Sequence, residues 1–164
     1  MILYYMVLLI LMDETEARIL GLQLMEVSEM VYFTTLQPDG YPHTRALWNL
    51  RNRKMFGRLW PLFKEHKDDY LVLLSTNTSS NKVPHIGANP KVCAYYCDPQ
   101  DYRGLTLTGD AEVVEDMGVK EALWDPEWKF YYPEGVGDPD FTVISLRPGR
   151  ARYYHKLERC EWTL

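Results

Sequence analysis

A chain of 164 residues amounts to a single domain, and its 46% hydrophobic and 25% charged content excludes a largely disordered polymer. Eighteen Lys and Arg against 23 Asp and Glu leave a formal charge of −5, which excludes a broad basic surface for nucleic acid or anionic membrane and leaves room only for a local basic pocket. Three cysteines cannot form a closed disulfide set and have no second paired cluster to hold zinc, so free, mostly buried thiols are expected.

Residues 1–12 (MILYYMVLLILM) are apolar and uncharged. The stretch is shorter than the ~20 residues of a membrane span and lacks the basic flank and cleavage site of a signal peptide. It reads either as an extra strand or arm, or as an extension upstream of a start at Met12, and the extension is favoured. A soluble, cytoplasmic protein with residues 13–164 as its one domain is the expectation.

From Asp13 to Val27, Ala17, Leu20, Leu24 and Val27 recur at helical spacing, with Asp13 as N-cap and Glu16 three residues on. The period then shortens. Val31, Phe33 and Thr35 alternate with Tyr32 and Thr34, Gln37-Pro38-Asp39-Gly40 supplies a turn, and His43–Leu50 completes a hairpin. Tyr70–Ser75 is a fully apolar strand, and Asn77–Asn81 leads into a short helix that stops at Asn89-Pro90. Val92–Cys97, Leu105–Val114, Phe141–Leu146 and Ala151–Tyr154 read as four further strands, with a helix over Met117–Trp124. The sum is a mainly β fold with short helices: six to seven strands in a closed or partly split antiparallel barrel. Nothing like GxGxxG follows a strand, so a Rossmann site is unsupported.

The segment from Leu74 to Pro90 (LSTNTSSNKVPHIGANP) carries the most chemistry. Hydroxyl and amide side chains end a strand, and Lys82 follows where a helix begins, which is the make-up of an anion site. The same residues also serve as a plain helix N-cap. Pro84 lacks an N–H and biases Val83 away from helical backbone, which loosens that helix start. His43, His66, His85 and His155 are scattered and read as surface or capping residues. Glu115-Asp116 reads as a solvated strand end. Ser75 has no His and Asp set around it that would make a hydrolase.

At this point a resemblance emerges. STNTSSNK (residues 75–82) resembles the flavin-phosphate motif of the pyridoxamine 5′-phosphate oxidase-like split-barrel flavoproteins. His43-Thr44-Arg45-Ala46-Leu47-Trp48-Asn49 is similar to the strand that runs along FMN in that family, and Leu107–Val114 to its long barrel strand. Leu123-Trp124-Asp125-Pro126, Tyr132-Pro133-Glu134-Gly135 and Asp138-Pro139-Asp140 resemble the general stress protein branch. The matches run in order from about Val31 to Tyr154.

The resemblance implies an FMN-binding split barrel that dimerises with the flavin between its subunits and exchanges electrons with a small-molecule partner. It places Arg45, Ser80 and Lys82 at the phosphate and Thr76 and Asn77 beside the ribityl chain and ring. Ala46, Leu47 and Trp48 would follow the isoalloxazine through their backbone, with Lys82 or the N–H groups around Leu47 and Trp48 near N1 and O2. Ser75 and Ser79 complete the motif. Trp124 would cap a flavin of the partner chain, while Trp128 would pack in the core or the dimer. Two departures are visible: Asn81 stands where the oxidases carry an arginine, and the oxidases' C-terminal arginines and histidine are absent from Cys160-Glu161-Trp162-Thr163-Leu164. Vitamin oxidase activity and FAD binding are therefore disfavoured. A non-catalytic flavin-binding stress or storage protein, a haem-binding barrel using His43 or His85, and a deazaflavin-using relative are the alternatives.

Overall fold

The computed structural model describes residues 12–67 and 69–164, so the apolar extension, apart from Met12, lies outside the described residues. The first element is α1 (Glu14–Val27), where the Asp13 carboxylate accepts the Glu16 N–H at 3.1 Å. Its other end is closed by two buried amides. Asn49 donates to the carbonyls of Met25 and Ser28 at 2.6 and 2.7 Å, and Asn52 donates to those of Val27 and Ser28. These bonds satisfy carbonyls that a helix end leaves without partners.

β1 (Met30–Leu36) and β2 (Pro42–Trp48) form the expected hairpin, with Gly40 at φ +85° in the turn. A 3-10 turn over Gly57–Leu59 and α2 (Trp60–Lys64) follow. The remaining elements are β3 (Val72–Asn77), α3 (Lys82–Ala88), β4 (Lys91–Asp98), β5 (Arg103–Val113), α4 (Met117–Leu123), two 3-10 turns over Pro126–Phe130 and Gly135–Gly137, β6 (Phe141–His155) and β7 (Glu158–Thr163).

All seven strands of the described residues belong to one antiparallel sheet, ordered β2-β1-β4-β5-β6-β3, with β7 also paired to β6. One edge of β6 follows β5. Its other edge is shared: Phe141–Leu146 pair with β3, and Arg150–His155 with β7. The path ends, β2 and β3, lie against each other without a ladder. This is a split barrel, as expected.

Two strand readings need correction. Phe141–Leu146 and Ala151–Tyr154 are one 15-residue strand. Arg147-Pro148-Gly149-Arg150 looks like a break because proline and glycine punctuate strands, but here the sheet absorbs them with a register shift at Thr108/Gly109. A Cβ on Gly109 would lie 2.9 Å from both Arg147 O and Pro148 Cα, so only glycine lets the strands close up there. The second correction is β7, which the terminal sequence did not announce. Its Cys160, Trp162 and neighbours pair with Arg150–His155, and Trp162 is buried.

The core has two parts on either side of β3. Val72 and Leu74 face the barrel interior with Leu24, Met25, Phe33, Leu105, Leu107 and Tyr153. Leu71 and Leu73 face a second cluster with Leu50, Leu59, Phe63, Leu123 and Phe141. Burial on both faces is why Tyr70–Leu74 lacks alternation. The three cysteines are free but only half-buried. No helix among the described residues is long and apolar enough to cross a membrane.

Candidate functional site

Alternation along β2 puts Arg45 on the same sheet face as its partner Phe33, toward the interior, while Thr44, Ala46 and Trp48 take the outer face. The Nη1 of Arg45 donates to His43 O at 2.7 Å, to the Thr35 hydroxyl at 2.9 Å and to Phe33 O at 3.3 Å. A guanidinium carries five N–H donors, two of them on Nη1. The described residues therefore occupy Nη1 and leave the edge formed by Nε and Nη2, the fork that fits a carboxylate or phosphate.

Lys82 opens α3 and is 7% exposed. Its ammonium donates to the Thr76 hydroxyl and the Ser80 hydroxyl, both at 2.5 Å. Two of three donors are thus used by neutral acceptors, and one remains. Among the described residues neither cation pairs with a carboxylate. Burial, and then the charge of Arg45, hold the Lys82 pKa below the ordinary lysine range, and burial lowers that of Arg45. Buried charges are ordinarily paired, so two like charges with spare donors are chemically suited to an anion.

The loop between β3 and α3 is fastened from the far side. Asp140 accepts from Asn77 Nδ2 at 2.6 Å and from the Ser79 N–H at 2.8 Å, and its carbonyl accepts from the Thr78 N–H. The Thr78 and Thr142 hydroxyls are bonded to each other. The bonds from Asn77 and Ser79 hold the Asp140 carboxyl below the usual carboxylate range. A protein carboxylate therefore already takes two donors that the motif offers. Asn81 occupies the N-cap position but makes no side-chain cap, and α3 is seven residues long. What this segment can offer an anion is therefore side chains, not a helix terminus.

The structure brings Thr76, Ser80 and Lys82 together by hydrogen bonds, and Arg45 lies near enough for its charge to act on Lys82. Asn77 and Ser79 turn toward Asp140, and Ser75 sits half-buried in β3 opposite Val143. Leu47 packs on the core, whereas Trp48 is 55% exposed on the outer face. Trp124 packs within its own chain against Trp128, Tyr132 and Phe141, with ring centroids 5.1 to 6.2 Å apart.

Sequence reasoning missed Thr35 and gave His43 and His85 a part only in the haem alternative. His85 is buried, its Nδ1 lies 2.9 Å from the Thr35 hydroxyl, and its ring centroid is 6.2 Å from that of His43. The expectation of a surface histidine fails at His85. A usable signal existed: Thr35 continues the inward series Val31, Phe33 with a hydroxyl, and His85 stands one helical turn after Lys82. No group of three metal-ligating side chains occurs among the described residues.

Comparison with known proteins follows this geometry. Residues 61–162 match the family model described as pyridoxamine 5′-phosphate oxidase like. Among solved structures, a Clostridium acetobutylicum protein related to general stress protein 26 of B. subtilis, of the pyridoxinephosphate oxidase family, is 31% identical. It aligns over 93% of this chain and 97% of its own, with a TM-score of 0.73. General stress protein 26 from Bacillus anthracis is 16% identical over 90% of this chain and 98% of its own, with a TM-score of 0.65. A heme binding protein from Mycobacterium smegmatis shares the fold at 15% identity over 94% of this chain and 60% of its own, with a TM-score of 0.62. No curated protein matches the chain.

Proposed function

The chain belongs to the pyridoxamine 5′-phosphate oxidase-like family, and from that premise we propose that it binds one FMN per subunit with the phosphate between Arg45 and Lys82. The observation that carries this is the pair of cations, Lys82 within reach of the Arg45 charge, with no carboxylate partner among the described residues and with donors to spare. Thr76 and Ser80 orient the ammonium. A terminal phosphate suits two fixed cations better than a neutral ligand does, because each charge-assisted bond is worth roughly 1.5–3 kcal/mol. The residues present fit that group.

When bound, FMN supplies reversible hydride and electron transfer. The role of the protein would be to anchor the phosphate and to offer N–H donors from the β2 backbone at Leu47 and Trp48. We assign the protein as a flavin-dependent oxidoreductase acting with a small-molecule electron donor or acceptor, and a homodimer. The outer face of the hairpin supports the dimer, since Trp48 is 55% and Tyr32 40% exposed on adjacent strands. A partner subunit on that face would cover both. Trp124 reaches a flavin only if a partner chain presents it, because its own chain packs it in the second core cluster.

The test of ligand identity is titration with FMN and with riboflavin, which lacks the phosphate. Tighter binding of FMN supports the site, and equal binding refutes it. Mixing the FMN-loaded protein anaerobically with NADH or NADPH tests turnover. Bleaching no faster than that of free FMN with both donors would remove the enzymatic role for nicotinamides.

A further inference from the structure

Thr35 sits where the alternation of β1 places a core residue, and it is 1% exposed. Its one hydroxyl meets two groups, Nη1 of Arg45 and Nδ1 of His85, each at 2.9 Å. A guanidinium only donates, so the Thr35 oxygen accepts from Arg45. Its own hydrogen is then available to Nδ1 of His85, the arrangement in which a neutral imidazole carries its proton on Nε2. His85 is held in turn by α3, one turn after Lys82, so one helix face carries both the ammonium and the ring that steadies the second cation.

We infer that Thr35 and His85 are positioning residues for the anion site: the chain Arg45–Thr35–His85 fixes Nη1 against the protein and leaves the Nε–Nη2 edge for the phosphate. The inference rests on the FMN proposal for its ligand but not for its geometry. Neither residue touches the anion in this account. Each acts by removing rotational freedom from the guanidinium before binding, so less of the interaction is offset by ordering the side chain.

Thr35→Val keeps the shape and removes the hydroxyl. It should weaken FMN binding about tenfold while leaving riboflavin within about twofold of the wild-type value. Thr35→Ser should restore FMN binding. His85→Phe should behave like Thr35→Val, and His85→Asn, whose side-chain oxygen can stand in for Nδ1, should recover part of the loss. In the ligand-free protein, nitrogen-15 NMR should show separate Nη1 and Nη2 signals for Arg45 that merge in Thr35→Val. FMN affinity unchanged in Thr35→Val, equal loss of FMN and riboflavin, or no rescue by serine would overturn the inference. Wild-type protein that binds riboflavin as tightly as FMN would refute the phosphate proposal instead. The relay would then stand or fall on whether the Arg45 signals merge in Thr35→Val or stay apart.

Discussion

The Lys82 ammonium donates to the hydroxyl of Thr76 at 2.5 Å, tying the first residue of α3 to the end of β3. That bond fixes where the buried cation stands, at a place where the charge of Arg45 lowers its pKa.

Removing either cation should therefore cost affinity for the phosphate and little else. Lys82→Ala and Arg45→Met are expected to weaken FMN binding by about 1.5–3 kcal/mol each. Lys156→Ala, at an exposed residue 3.9 Å from Asp101, should leave it unchanged. Flavin fluorescence quenching measures all three. Equal dissociation constants for Lys82→Ala and Lys156→Ala would exclude this phosphate site.

The lowered pKa of Lys82 predicts an alkaline limb. Binding of the phosphate needs the protonated amine, so affinity should fall as pH rises through the depressed value, while an ordinary lysine is still charged. Riboflavin should show no such loss. Lys82→Arg keeps its charge and should hold its affinity to higher pH, so FMN titrations across neutral to alkaline pH in the two proteins should diverge.

Asp140 should act on the acid side. Its folded pKa lies below the unfolded one, so its contribution is present above the unfolded value and is lost as pH falls through the folded value. Asp140→Asn should melt lower than wild type at neutral pH, and the difference should shrink with acidification. Thermal melts over that range provide the check.

The register shift in the long strands gives a stability prediction. Gly109→Ala pushes a methyl against backbone atoms of Arg147 and Pro148 at 2.9 Å, and should destabilise by about 1–3 kcal/mol. Gly149→Ala meets nothing within 4 Å and should be close to neutral. Chemical denaturation of the two variants compares them directly.

The proposed dimer places Trp48 in an interface. Sedimentation at micromolar concentration should give a dimer, and Trp48→Glu should shift it toward monomer through an unpaired buried charge. A wild-type monomer would remove the two-chain flavin site.

How much of this was legible depended on whether the signal was local. The α1 cap at Asp13, the Gln37–Gly40 turn and the alternation of β1 are short-range chemistry, and the structure agrees with each. The contact between Lys82 and Ser80 is local, because one loop carries both. Arg45 was singled out by resemblance alone; its bond to the Thr35 hydroxyl ten residues away is a product of hairpin pairing. His85 looked like a surface residue because nothing near it in sequence announces Thr35, 50 positions earlier. Asp140 was hidden in the same way, since its contact with Ser79 spans 61 residues. The break expected at Pro148 failed for the opposite reason. The local cue was correct for an isolated strand, but Gly109 on β5 accommodates it.

The most direct measurement is the absorbance spectrum of the purified protein after addition of FMN and removal of unbound ligand. The account predicts retained flavin bands near stoichiometric occupancy in the wild type and their loss in a Lys82→Ala, Arg45→Met double variant. A protein that retains no flavin, that shows an intense haem band instead, or that keeps its flavin when both cations are gone would contradict it.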